Sequence, residues 1–186
     1  MVNVLVCNQK GGVGKSLVAD ELAFSFERSG YGVNFYDLDA QGGTLHKSHE
    51  SEQATISVID TPGALQSQLI DWLQAADIIV IPTRTTSRDI EPLLRMQQAV
   101  EQAGKSDKVL YVLNGWNRWR ASSDFKAWFK EHVKAPVVTL PQSEQFVQAG
   151  AAGLSVVEYA PKSSAAKAAI ELCNTVRGLL GLPGEK

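Results

Sequence analysis

The sequence predicts an α/β fold: a mostly parallel, twisted sheet with helices on both faces. Three observations predict it. Six short runs rich in Val and Ile are near-continuously apolar, as strands buried on both faces must be. Helical patterns separate most of these runs. A glycine-rich turn joins the first run to the first helical pattern. The length of 186 residues fits one domain over 1–186.

The elements follow in order. Val2–Cys7 reads as a buried strand. Val18, Leu22 and Phe26 recur every four residues and mark a helix that Gly30 can cap. Val33–Tyr36, Thr55–Ile59, Asp77–Ile81, Val109–Leu113 and Val137–Leu140 are the remaining strands. Helices are expected over Leu65–Ala75, Asp89–Ala103, Ser123–Val133 and Ser143–Ala149. The last helix, Ser164–Leu180, carries Ala166, Ile170, Cys173, Val176 and Leu180 along one stripe. Gly181–Lys186 reads as a frayed end.

Composition excludes several classes. Hydrophobic residues are 44% and charged residues 20%, so the chain is neither disordered nor collagen-like. The net charge of −2 excludes a strongly basic nucleic-acid protein but not a local basic patch. Cys7 and Cys173 stand in apolar surroundings and read as reduced, buried thiols. With His46, His49 and His132 they offer no zinc spacing. No apolar run reaches the roughly 20 residues of a membrane span. The start, MVNVLVCNQKGG, lacks the features of a signal peptide. The expectation is a soluble, cytoplasmic protein.

Gln9-Lys10-Gly11-Gly12-Val13-Gly14-Lys15-Ser16 carries the chemistry. It joins a buried strand to a helix, the context a phosphate-binding loop requires. Its glycines let successive backbone N–H groups turn inward around phosphate oxygens. The helix beginning near Ser16 adds its positive end. Lys15 would reach the β- and γ-phosphates, and the Ser16 hydroxyl would ligate magnesium. Leu17 follows within the same binding segment. Gln9 stands where the usual loop has its first glycine, and a second lysine, Lys10, follows it.

At these residues the sequence resembles the ParA/MinD family of deviant Walker ATPases, whose loop reads Lys-Gly-Gly-x-Gly-Lys-Thr/Ser. The resemblance implies a P-loop NTPase (deviant Walker) fold, with ATP and Mg2+ as cofactors. It implies that Lys10 crosses to the partner subunit's phosphates in an ATP-sandwiched homodimer, as an arginine finger does. Two more motifs match in order. Phe35-Tyr36-Asp37-Leu38-Asp39-Ala40-Gln41-Gly42-Gly43 resembles the family's switch I, with Ala40 for proline and Gly43 for asparagine. Asp39 maps to the acid that orients the attacking water, beside the metal. Ile56-Ser57-Val58-Ile59-Asp60-Thr61-Pro62-Gly63 resembles the Walker B strand and switch II. There Asp60 would hold a magnesium-bound water, and Gly63 would bring a backbone N–H to the γ-phosphate. The catalytic set is therefore Lys10, Lys15 and Asp39, and the metal set Ser16, Asp39 and Asp60. Asn114 and Pro141, after the late strands, are the adenine candidates. No Asn-Lys-x-Asp guanine motif is present.

The chain departs from the family between Asp39 and Asp60. Thr44–Gln53 is short and polar, and His46 and His49 within it read as solvated loop residues. This resembles compact ParA proteins without an N-terminal DNA-binding domain. Between Lys105 and Lys134 seven Lys/Arg face three acids, interleaved with Trp116 and Trp119. Arg118, Arg120, Lys126 and Lys130 are candidates for phosphate contacts with non-specific DNA. The resemblance implies slow hydrolysis stimulated by a ParB-like or cargo-adaptor partner. The cycle would partition a plasmid, chromosome region or protein cargo on the nucleoid. The alternative is a MinD-like ATPase positioned at a membrane surface. The ending Thr175–Pro183 has one arginine, two glycines and a proline, so no membrane contact is expected.

Overall fold

The computed structural model describes residues 1–63 and 68–184. Six strands form one sheet in the order β2-β3-β1-β4-β5-β6. They are β1 Val2–Val6, β2 Gly32–Asp37, β3 Ala54–Asp60, β4 Ile78–Thr83, β5 Val109–Trp116 and β6 Val137–Pro141. Every pairing is parallel. The expected, mostly parallel sheet is therefore present.

The helices are α1 Lys15–Arg28, α2 Leu69–Ala75, α3 Ile90–Gln102, α4 Arg120–His132, α5 Glu144–Ala151, α6 Val156–Tyr159 and α7 Ser164–Leu179. The strands alternate their side chains between two cores. Val4 and Val6 of β1 face α1, α5, α6 and α7, while Leu5 and then Cys7 face α2, α3 and α4. So each face of the sheet is closed by helices, as near-continuous apolar strands require.

Most boundaries move by a residue or two. α1 stops where Gly30 takes a φ of 81°, and its N–H returns to Glu27 O at 2.9 Å. Ser143 and Ser163 cap α5 and α7 by accepting from Gln145 N and Ala166 N. The expected start of α2 at Leu65 lies outside the described residues. A three-residue turn of helix, Ser87–Asp89, precedes α3. α6 was not expected, because a single turn shows no periodicity. Ser155 and Glu158 form a capping box that stabilises it. The described part of the C-terminal end is docked rather than frayed. Leu182 N donates to Arg177 O at 2.8 Å, and the Arg177 guanidinium donates to Pro183 O at 3.3 Å.

Helix α1 packs a carboxylic acid into this core. Glu21 is buried and accepts from Val156 N at 2.8 Å, but its second oxygen has no partner. Burial pushes its pKa from near 4.5 to about 7, against the pull of the Val156 N–H and Arg28. The folded state then holds a proton that the unfolded state has lost between these values. Stability therefore falls as pH rises through that window. Glu21→Gln keeps the acceptor for Val156 and removes the titration. We expect it to gain stability relative to the parent between pH 5 and pH 8, by on the order of 3 kcal/mol. Urea unfolding at the two pH values measures this, and an equal change in both chains would contradict it.

Candidate nucleotide-binding site

The strand order reverses beside β1, between its neighbours β3 and β4. In an open α/β sheet the crevice for a ligand lies there, beyond the carboxyl ends of the strands. Register brings the acids to the same level. Val6 of β1 is opposite Asp60 of β3, and Asp60 is opposite Asp37 of β2.

The turn from Cys7 to Gly14 leaves β1 and enters α1. Gly12 and Gly14 adopt φ values of 70° and 96°, which side chains rarely take. Gly14 is also the N-cap of α1 and has no side-chain cap. The first N–H groups of the helix therefore remain available at its positive end. Three contacts brace the turn from behind. Asn8 Nδ2 donates to Pro82 O at 2.7 Å, and Asn8 Oδ1 accepts from Lys10 N at 2.9 Å. Asn114 Nδ2 donates to Val13 O at 2.8 Å. A Cβ on Gly14 would collide with that amide. From the front, Gly63 meets the crest: a Cβ there would stand 2.8 Å from Gly11 Cα.

Lys15 is buried at the first position of α1, with Nζ 3.5 Å from Lys10 O. Next to it Ser16 Oγ donates to Asp60 Oδ2 at 2.7 Å. Asp60 is fully buried, and its other oxygen has no partner. Burial pushes its carboxyl up to about 6, against the Ser16 bond and the Lys15 charge. A buried carboxylate oxygen without a donor, beside a hydroxyl and a lysine at a helix N-terminus, suits a hydrated divalent cation next to phosphates. The donor set fits magnesium and a nucleotide triphosphate.

The first acid of switch I builds the second. Asp37 Oδ1 accepts from Asp39 N at 3.0 Å, and Asp39 Oδ1 accepts from Gln41 N at 3.0 Å. Asp39 is half-buried at this turn. Gly43 closes it above Ser16, where a Cβ would lie 3.4 Å from the hydroxyl oxygen. Lys10 extends away from its own loop. Its ammonium sits 2.5 Å from Asp89 Oδ1 and donates to Arg88 O at 3.2 Å. The Lys10 side chain keeps 33% exposure, whereas Asp89 keeps 1%.

Gly11, Gly12, Val13, Gly14, Lys15, Ser16 and Asp60 thus meet at one crevice; Lys10 turns from it toward Asp89, and Asp39 stands on the turn whose Gly43 lies over Ser16. Leu17 points the other way, against the α1 core. Asn114 braces the loop through its amide nitrogen. Pro141 ends β6, opposite Trp116 of β5. Sequence reasoning missed Asn8, Arg84 and Asp89. Arg84 Nε donates to Gly12 O at 3.2 Å. A cation one residue past a strand end was its only signal; Asp89 read as the start of a helix.

Comparison with known proteins decides the family. Residues 4–156 match the CobQ/CobB/MinD/ParA nucleotide binding domain. The chain belongs to that family. No curated protein matches it in sequence. Solved structures resemble it over nearly their full length. An ATP complex of an Asp-to-Ala variant of McdA from Cyanothece has a TM-score of 0.79 at 17% identity, covering 98% of this chain and 97% of that chain. MinD from Pyrococcus horikoshii with Mg-ADP gives 0.74 at 16%, covering 97% of each. The MinC:MinD complex of Aquifex aeolicus gives 0.76 at 14%, covering 100% of this chain and 99% of that chain. Identities this low show a shared fold. The fold is the one that MinD and McdA share, and the family is a nucleotide-binding one.

The contact between Gly63 and Gly11 leads to a test. Gly63→Ala forces a methyl group against backbone atoms of the phosphate loop. Overpacking of this kind costs about 1–3 kcal/mol. We expect roughly tenfold weaker nucleotide binding, measured by titration of a fluorescent ATP analogue. Thermal unfolding verifies that the variant folds; unchanged affinity would show that the contact is not rigid.

Proposed function

We propose that this chain is a ParA-type ATPase whose ATP-bound form is a sandwiched homodimer that binds DNA without sequence preference. The observation that carries the reading is the position of Lys10. Its ammonium lies beside the phosphate loop but is paired with Asp89 rather than with its own loop. The side chain remains partly exposed, so it is free to change partners.

Each residue then has a role in ATP hydrolysis. The loop N–H groups and Lys15 bind and orient the phosphates. Ser16 and Asp60 would hold Mg2+, which would neutralise charge on the phosphates. Asp39 orients the attacking water from the turn that Asp37 builds. Lys10 neutralises charge on the partner's phosphates. Asn114 and Pro141 flank the adenine side. A trans contribution of this kind makes dimerisation depend on the nucleotide and keeps the isolated monomer slow.

The DNA-facing surface would be the turn after β5 with helix α4. Arg118, Trp119, Arg120 and Lys130 are exposed, Trp119 to 72%. Arg120 makes only a loose pair with Asp124 at 3.6 Å. Lys126 is partly committed, lying over the Trp116 ring at 5.5 Å and reaching Thr139 Oγ1 at 3.5 Å. A dimer doubles this patch, and phosphate contacts sum along DNA. A ParB-like or cargo-adaptor partner would then stimulate hydrolysis and release the dimer from the nucleoid. Among the described residues no helix is long and apolar enough to cross a membrane.

Duplex DNA of random sequence at low salt tests the reading, with ATP–Mg, ADP–Mg or no nucleotide. Asp39→Ala should bind DNA as a dimer only with ATP, because hydrolysis is blocked. Lys10→Ala should bind nucleotide as a monomer yet lose the dimer, DNA binding and turnover. DNA binding independent of nucleotide, or a Lys10→Ala chain with normal turnover, would refute the proposal. An ATP dimer that ignores DNA but binds anionic vesicles would move the function to a membrane surface.

A further inference from the structure

His46 read as a solvated loop residue; its side chain is only 8% exposed. The ring stacks on Phe35 of β2, with centroids 4.9 Å apart and planes 22° apart. Phe24 of α1 packs on it at 4.3 Å. Both ring nitrogens face carboxylates of α1. Nδ1 is 2.7 Å from Asp20 Oδ1, and Nε2 is 3.3 Å from Glu27 Oε2. Asp20 also accepts the backbone N–H of Leu45 at 2.8 Å and of His46 at 3.0 Å.

Only the doubly protonated ring satisfies this arrangement. A carboxylate can accept but not donate, and a neutral imidazole has one N–H. Loss of the proton therefore leaves one nitrogen lone pair facing a carboxylate. The charged groups around the ring are Asp20 and Glu27, both from α1. β2 presents the Phe35 ring, and the residues on either side of His46 contribute backbone. Burial lowers the imidazole pKa, but Asp20 and Glu27 outweigh it, so the net direction is upward.

The clasp joins the phosphate-loop helix to the acid loop of switch I. Asp20 lies one helical turn beyond Ser16. On the other side, Thr44 Oγ1 lies 2.7 Å from Asp37 Oδ2 and 2.9 Å from His46 O. Asp37 N donates to Ser48 Oγ at 2.9 Å, and Asp37 Oδ1 receives Asp39 N. The segment then runs antiparallel to the outer edge of β2, pairing His49 with Phe35. No helix lies between β2 and β3, so the clasp anchors this short connection to α1.

We propose that the protonated His46, held between Asp20 and Glu27, positions the Asp37–Asp39 loop, and that loss of its proton releases that loop and slows hydrolysis. The second half rests on the ATPase reading above. His46 is a positioning residue here, since it touches neither phosphate-loop nor metal-site residues.

Two readouts test it in the full chain. Amide hydrogen exchange at Leu45 and His46 needs no activity. Protection is expected below the imidazole midpoint and lost as pH rises through it, with that midpoint, followed by NMR, above 6.5. Protection that ignores pH, or a midpoint below 6.5, would overturn the proposal whether or not the chain hydrolyses ATP. The second readout is kcat against pH. It should fall along the same midpoint while KM for ATP changes less than about twofold. His46→Gln should give a roughly tenfold lower, pH-flat kcat. Glu27→Gln lies at the surface and should fold normally. It should keep the low-pH kcat and shift both midpoints down by about 0.5 pH unit. A His46→Gln chain with the parental profile, or unmoved midpoints in Glu27→Gln, would overturn the positioning role. No hydrolysis by the parent at any pH would instead refute the ATPase reading, and exchange alone would then decide the clasp.

Discussion

The site depends on one constraint: the turn between β1 and α1 must stay open, with its N–H groups directed inward. A chain left to itself would collapse such a turn or fill it with a side chain. Here glycines supply the backbone angles, and four contacts from three other segments hold the shape. Asn8 ties the turn to β4, Asn114 ties it to β5, Gly63 closes against the crest, and Asp60 receives the Ser16 hydroxyl. These braces arrive at one place because the strands are parallel and their carboxyl ends align beside β1. Sheet topology is thus what makes the phosphate loop rigid before a ligand arrives. Preorganised donors need no rearrangement when charge appears, which is the physical basis of electrostatic catalysis.

Charge is distributed unevenly around this frame. Lys15 is buried on the loop, whereas Lys10 is paired with a buried acid at the start of α3. Asp89 also bonds Thr86 in a capping box, so the acid is fixed and the lysine is the mobile member. An ion pair with one partly exposed partner is modest in strength. It therefore suits a latch that a better anion displaces. The buried acid Asp60 and the half-buried Asp39 thus stand on β3 and on the turn after β2, while Lys10 reaches from the cradle itself to the start of α3.

Local features were legible in the sequence. The phosphate loop, switch I and switch II are contiguous, and their glycines and acids mark them without knowledge of the fold. The six strands and most helices were legible because burial on both faces leaves continuous apolar runs. Partners distant in sequence were not. Asp89 stands 79 residues from Lys10, and nothing local distinguishes it from an ordinary helix cap. Asn114 stood out as a turn residue, but its bond to Val13, 101 residues away, appears only once β5 is placed beside β4. His46 shows why polar composition misleads. Thr44–Gln53 has too few apolar residues to signal burial, yet two phenylalanines and two acids from elsewhere enclose the ring.

The central claim is that Lys10 acts on the partner's nucleotide. Mixing two inactive chains tests it most directly. A Lys10→Ala subunit keeps its own Asp39, and an Asp39→Ala subunit keeps its own Lys10. Paired across an ATP sandwich, they rebuild one complete site that combines the first subunit's Asp39 with the second's Lys10. The account predicts that ATP hydrolysis reappears in the mixture when neither chain alone has it. Activity of the mixture equal to the sum of its parts, with mixed dimers shown by co-purification of differently tagged chains, would contradict the account and place Lys10 on its own subunit's nucleotide.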